Sequence, residues 1–144
     1  TILTKILETR RYNRSYGVIF VDVDNFKSIN DTYGHSIGDK VLMMVASTLR
    51  SNVRFYDVVG RWGGDEFVLV VELKNQEDLK NIAQKIQNLV EQSYIDFKSK
   101  KIQTTLSIGA TTIALKDTIE TVIARADNLM YESKKRGKNN ITIG

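Results

Sequence analysis

The chain alternates between short unbroken apolar runs and longer stretches in which apolar residues recur every three or four positions. The first kind reads as buried strands, the second as amphipathic helices. Residues 18–22, VIFVD, are apolar until the last, which suits a central strand covered on both faces. The polar stretch NFKSINDTYG at 25–34 reads as a helical turn. Residues 37–49 place Ile37, Val41, Leu42, Val45 and Leu49 on one helical face, residues 79–90 repeat the spacing, and so do residues 119–130. Residues 57–62 and 66–71 are strand-like on either side of Gly63-Gly64, the pattern of a β-hairpin. Residues 103–112 alternate as a strand does, and 141–143 form a last short one. Residues 2–12 have helical character, with Ile2, Leu3, Ile6 and Leu7 apolar and a basic end at Arg10 and Arg11. No capping signal precedes this helix, so the natural protein is expected to extend upstream. Strands and helices interleave, and the hairpin rules out an all-parallel sheet. The expected fold is α/β (α+β), a single domain with a mixed central β-sheet surrounded by helices.

Composition narrows the class. A chain of 144 residues, 42% hydrophobic and 26% charged, is long enough for one domain with a real core. It has no cysteine, which removes disulfides and thiolate metal sites and fits a cytoplasmic setting. No apolar run approaches the roughly 20 residues of a membrane span, so no membrane contact is expected. The net charge of +4 is mild and reads as a solvated surface, so no nucleic-acid partner is expected from charge alone. Proline is absent, leaving glycine as the main punctuation.

The acids carry the candidate chemistry. Asp22 and Asp24 lie two apart at the end of the first strand, so both project to one face. Asp65 and Glu66 sit at the hairpin tip, at the mouth of the apolar run FVLVV. If the hairpin neighbours the first strand, three or four carboxylates converge, and such a cluster cannot all ionise beside a core without a cation. Magnesium takes one or two carboxylates plus substrate phosphates, which makes this a candidate phosphoryl-transfer site. Asn25-Phe26-Lys27 opens a helical turn, whose free N–H groups suit an anion. Ser36 and Asp39 have the spacing of a capping box, while Asn30 and Asp39 could also read a base edge. The single histidine, His35, reads as a structural hydrogen-bonding residue. KKRGK at 134–138 reads as an exposed helix end that could neutralise phosphates.

Together these residues resemble the GGDEF domains of diguanylate cyclases. The likeness covers Gly63-Gly64-Asp65-Glu66-Phe67, the block Asp22 to Lys27, Ile29-Asn30-Asp31, Tyr33-Gly34-His35 and Gly38-Asp39. It continues through Ser107-Ile108-Gly109, Arg125-Ala126-Asp127, Tyr131, Lys134 and Gly137. The resemblance implies a palm-like sheet and the joining of two GTP into cyclic di-GMP with release of two pyrophosphates. It implies Asp22, Asp65 and the Val23 carbonyl as ligands of magnesium or manganese, two ions per active site, with Asp22, Asp65 and Glu66 as the catalytic acids. Glu66 falls near the attacking ribose hydroxyl, as base or as metal ligand. Gly63 and Gly64 would let the hairpin backbone approach the nucleotide. Phe26 and Lys27 fall where backbone holds the β- and γ-phosphates, Asn30 and Asp39 where guanine is read, and Lys134 and Lys138 on the phosphate-binding pair. Arg54 and Asp57, with Lys85 as auxiliary, match the inhibitory product site. One domain holds one GTP, so a homodimer is implied. The implied setting is the cytoplasm, within a larger, even membrane-anchored, bacterial signalling protein.

There are departures. Lys138 and Lys85 replace arginines, which loses the bidentate fork, and Trp62 stands where tyrosine or phenylalanine is common. The family's D-x-L-T-G-L-x-N-R turn is missing, so residues 1–144 are expected to be a GGDEF domain trimmed at its N-terminus, without its regulatory domains. Two alternatives use the same residues. One is a non-catalytic module that binds cyclic di-GMP or GTP as a sensor, against which the intact GGDEF argues. The other is a cyclase or polymerase for another nucleotide, against which Asp39 argues.

Overall fold

The strand expected at 18–22 is the middle of β1 (Ser15–Val23), buried on both faces along nearly its whole length. Ile19, Val21 and Val23 point into one core, and Tyr16, Val18 and Phe20 into a second on the opposite face. A strand so placed needs helices on both sides, which is why it reads as a continuous apolar run. The computed structural model describes residues 4–8, 13–54 and 57–144. Of the helix expected at 2–12, residues 4–8 are helical (α1), with Ile6 buried in the second core; Ile2, Leu3, Arg10 and Arg11 lie outside the described residues.

From β1 the chain turns into α2 (Phe26–Tyr33) and α3 (His35–Ser51). The hairpin β2 (Val58–Arg61) and β3 (Glu66–Leu73) follows, then α4 (Asp78–Gln92). A small ribbon, β4 (Ile95–Phe97) and β5 (Lys100–Ile102), precedes β6 (Leu106–Thr112), α5 (Ile119–Lys135) and β7 (Ile141–Ile143). The main sheet has the order β2-β3-β1-β6-β7, antiparallel except for the β6–β7 pair. The apolar faces of α3 and α4 fill the first core, and α5 and Ile6 fill the second. The mixed α+β sheet expected from the sequence is what forms, with the hairpin directly beside β1. Among the described residues, no helix is long and apolar enough to cross a membrane.

Two expectations need correction, and two features were not anticipated. β6 does not alternate between core and solvent: residues 106–111 are all buried, because α4 and α5 cover its two faces. The capping box at Ser36 and Asp39 does not form; Gly34 is the N-cap of α3, with no side-chain cap, and Ser36 lies inside the helix. A true capping box stands at α5, between Thr118 and Thr121. The β4–β5 ribbon was not anticipated, because its turn is made by Lys98 and Ser99 in left-handed conformation rather than by glycine or asparagine.

Candidate active site

The end of β1 and the tip of the β2–β3 hairpin meet because the two strands pair in register. Asp22 lies opposite Glu66, and the Val23 N–H donates to the Asp65 carbonyl at 3.0 Å. Strand periodicity puts Asp22 on the side of β1 that α5 covers, and α5 delivers Lys134 to it as an ion pair. The Asp22 carboxyl is pushed up to about 6 by burial, reinforced by the charges of Asp65 and Glu66 and opposed by Lys134. Burial raises Glu66 too, with help from Asp127 on α5 and from Asp65. Burial works against the Lys134 charge, but Asp22, Asp65 and Glu66 outweigh it and raise its pKa.

The expected convergence of three or four carboxylates is only partly realised. Asp24 is 3% exposed and fully engaged: it accepts from Thr105 Oγ1 at 2.6 Å, Ser107 Oγ at 2.5 Å and the Asn139 N–H at 3.0 Å. It ties β1 to β6 and to the loop after α5, and serves as a structural anchor. Among the described residues no group of three or more His, Cys, Asp or Glu side chains could hold a metal ion alone. What remains is Asp22 and Asp65 beside the Val23 backbone, a set of hard oxygen donors. A buried carboxylate held up by burial and like charge is a group that a divalent cation would relieve. The donors fit such an ion when phosphates complete its shell.

The expected hairpin forms, and its two glycines differ in their surroundings. Neither Gly63 nor Gly64 is in the left-handed region. A Cβ on Gly63 would lie 2.6 Å from Glu66 Oε1, so this glycine makes room for the Glu66 carboxylate, while Gly64 faces open space. The turn is braced by Arg61, which the sequence reading missed. Its Nε donates to the Gly63 and Gly64 carbonyls at 3.1 and 3.2 Å, and its Nη2 to Gly64 at 2.6 Å. Trp62, exposed beside it, meets Phe20 edge-on at 6.3 Å between ring centres.

Asn25, left-handed at φ 57°, starts α2 and leaves Phe26 and Lys27 as its first residues. Lys138 comes to this loop, with Nζ 2.7 Å from Asn25 Oδ1. The two lysines thus flank the strand end, Lys134 at Asp22 and Lys138 at Asn25. Asn30 Oδ1 is buried without a hydrogen-bond partner. It lies 1.7 Å from where a Cβ on Gly38 would stand, so only glycine there lets Asn30 take this position. Asp39 is exposed on α3 and lines a cavity of about 430 Å³ with Leu42, Met43, Arg61 and Phe67. His35 is exposed, and its ring makes no hydrogen bond to the described residues, contrary to the structural role expected of it.

Arg54, Asp57 and Lys85 gather elsewhere, around a cavity of about 220 Å³ between the loop before β2 and α4. The Asp57 carboxylate accepts the backbone N–H of Arg54 and of Glu72, both at 3.1 Å, and so fastens that loop to β3.

A family profile described as "Diguanylate cyclase, GGDEF domain" matches residues 1–140. The chain belongs to the GGDEF domain family of diguanylate cyclases. Diguanylate cyclase A of Treponema denticola is 37% identical over 127 residues, 88% of this chain and 34% of that protein. Diguanylate cyclase DgcZ of Escherichia coli is 38% identical over 122 residues, 85% of this chain and 41% of that protein. The chain therefore spans well under half the length of these curated relatives. The GGDEF domain of DgcB from Caulobacter crescentus, solved in complex with c-di-GMP, matches with a TM-score of 0.91 at 26% identity, covering 99% of this chain and 85% of that one. In this GGDEF domain the residues singled out from the sequence fall in three places: the strand end with the hairpin tip, the α2–α3 elbow, and the cavity at Arg54. Arg61 and Asp127 join the first of these. Arg61 carried one signal, a cation two residues ahead of a glycine turn whose carbonyls need donors.

Proposed function

We propose that this GGDEF domain joins two GTP into cyclic di-GMP, releasing two pyrophosphates. The observation that supports the reading best is the strand-end group, in which a buried carboxylate, the acidic hairpin tip and two ammonium groups surround one point of the surface. The α2–α3 elbow supports the guanine preference. The buried, unpartnered Asn30 oxygen would accept from a base N–H, and the Asp39 carboxylate offers the complementary acceptor for guanine's donors. The first N–H groups of α2, at Phe26 and Lys27, together with Lys134 and Lys138, would hold the phosphates.

Asp22, Asp65 and the Val23 carbonyl would hold divalent magnesium or manganese, which supplies neutralisation of phosphate charge and alignment of the reacting oxygens. In each half-reaction a ribose 3′-oxygen forms a bond to the α-phosphorus of the other nucleotide. The α–β phosphoanhydride bond breaks, pyrophosphate leaves with the bonding pair, and the hydroxyl proton is released. Glu66 stands at the tip for that hydroxyl, either as proton acceptor or as a further metal ligand. Positioning and charge do most of such a reaction. Each chain has one such site and the ring closes through two bonds, so the active unit is two domains face to face. Cyclic di-GMP would return to Arg54, Asp57 and Lys85 as a feedback ligand, with arginine on phosphate and aspartate on guanine N–H groups.

Product analysis tests this reading. The chain at high concentration with GTP and magnesium should yield cyclic di-GMP on chromatography, and Asp65→Ala should yield none. Cyclic di-GMP binding at Arg54 without any product from GTP would instead identify a sensor module.

A further inference from the structure

Beyond Lys135, the end of α5, the chain enters an unusual path. Gly137, Lys138 and Asn139 follow one another with φ of 107°, 62° and 47°. Glycine does this freely and asparagine tolerably, but a left-handed lysine is strained and persists only where its surroundings over-determine it. The surroundings are on α4. Gln87 Nε2 donates to the Asn139 carbonyl at 2.9 Å and to its side-chain oxygen at 3.2 Å. One turn further, Glu91 accepts from Asn139 Nδ2. Gln87 and Glu91 are four apart and share a face, so two successive turns of α4 hold one residue by its backbone and its side chain. The Asn139 N–H closes the arrangement on buried Asp24. The residue just before it, Lys138, then reaches Asn25 Oδ1 at the start of α2.

We propose that Gln87 and Glu91 are positioning residues that act through Asn139 to aim Lys138 at the nucleotide's phosphates. The inference rests on the reading of Lys138 as a phosphate-binding residue. A lysine is a point charge on a flexible stem, so its contribution to affinity depends on how far its backbone is already ordered before the ligand arrives. With the clamp made, that ordering is complete in the free domain. With it broken, the binding of phosphate must supply it. Among the described residues, Asp22 and Asp65 make no hydrogen bond with Gln87, Glu91 or Asn139, and the clamp meets the strand end only through Asp24. Its loss should therefore appear in triphosphate affinity and leave the chemical step nearly intact.

The test compares wild type with Gln87→Leu, Glu91→Ala and Glu91→Gln. The last keeps an oxygen for the Asn139 amide. Three quantities are read with magnesium present: KM and kcat for GTP, Kd for 3′-deoxy-GTP, which cannot be joined, and Kd for guanosine. Gln87→Leu and Glu91→Ala are expected to raise KM and the 3′-deoxy-GTP Kd about 5- to 10-fold, with kcat within about twofold and the guanosine Kd unmoved. Glu91→Gln is expected to restore wild-type affinity. Glu91 is exposed, so its alanine variant keeps the test open even where Gln87→Leu folds poorly. Unchanged 3′-deoxy-GTP binding in Glu91→Ala overturns the inference. So does an equal loss for guanosine, or a fall in kcat at constant KM. Wild type that binds 3′-deoxy-GTP no better than guanosine overturns the phosphate reading of Lys138 itself.

Discussion

Arg61 and Asn30 show opposite uses of a polar side chain. The Arg61 guanidinium satisfies the two carbonyls of the glycine turn, and so fixes where Asp65 and Glu66 stand. Displacing reacting groups by an ångström costs up to about a hundredfold in rate, whereas losing an exposed side chain costs little stability. Arg61→Ala is therefore expected to lower kcat at least about tenfold while Tm moves by only a few degrees. The single tryptophan, Trp62, sits between Arg61 and Gly63, so its emission should shift in the same variant. Unchanged turnover and unchanged emission would show that the turn holds itself. Asn30 is the reverse case, with an oxygen buried and unpaired, a state that costs about 1–3 kcal/mol. Asn30→Ala removes that cost, so its Tm should equal or exceed that of wild type, while GTP affinity falls about tenfold or more. A fall in Tm with intact GTP binding would mean that Asn30 serves the fold and not the nucleotide.

Among the elements, α5 is held by a polar latch as well as by its buried apolar face. Asp117 in the loop before it accepts from Arg125 Nη1 at 3.0 Å and Nη2 at 2.6 Å, from the Ala114 N–H at 2.7 Å and from Thr121 Oγ1 at 2.8 Å. Arg125 reaches on to Thr111 and Thr112 of β6. These bonds, Arg125 first, hold the Asp117 carboxyl down at about 2, below its ordinary 3.8. A carboxylate whose folded pKa lies below its unfolded one stabilises the fold above the unfolded value and loses that contribution as pH falls through the folded value. Asp117→Asn should then destabilise the domain by about 1–2 kcal/mol at pH 7, allowing for the solvent around Arg125. The gap from wild type in denaturant titrations should close between pH 4 and about 2. A gap constant over that range would assign the effect to packing alone. This latch was invisible in the sequence, because Arg125 and Asp117 stand eight apart across a helix start and nothing in composition pairs them. The elements themselves were readable wherever burial imposes a period, as in β1, α3, α4 and the hairpin. Reading failed where backbone geometry decides: at the Lys98–Ser99 turn, at the Gly34 cap, and at Asn139, whose partners lie 48 and 52 residues away. Asp22, Asp65, Asn30 and Lys134 could be named because a motif holds their spacing. That Asp24 belongs to the fold could not, since its partners Thr105, just before β6, and Ser107, within it, lie more than eighty residues on.

For the whole molecule the decisive question is how many chains one reaction needs. Among the described residues a single chain offers one strand-end group and one α2–α3 elbow, and the proposed phosphate site at Lys134 and Lys138 lies at that strand end. A 3′-hydroxyl held on the same chain belongs to the nucleotide whose own phosphate is bound there, so it cannot close the ring with a second guanosine. On the proposed reading, the partner nucleotide comes on a second copy. Where chains are mostly monomeric, the initial rate should then rise with the square of chain concentration, becoming linear once pairs are saturated. Adding Asp65→Ala chains in excess should depress wild-type turnover, because mixed pairs carry one defective half. The same progress curves report feedback: product accumulation should slow the wild type, and Arg54→Ala should run on at its initial rate for longer. A rate linear in concentration down to dilutions where the protein sediments as a monomer would remove the pair from the mechanism, even with Asp65 and Asp22 essential. A quadratic rate with no slowing by added cyclic di-GMP would keep the pair and leave the Arg54 cavity, with Asp57 already fastened to β3, as a feature of the fold alone.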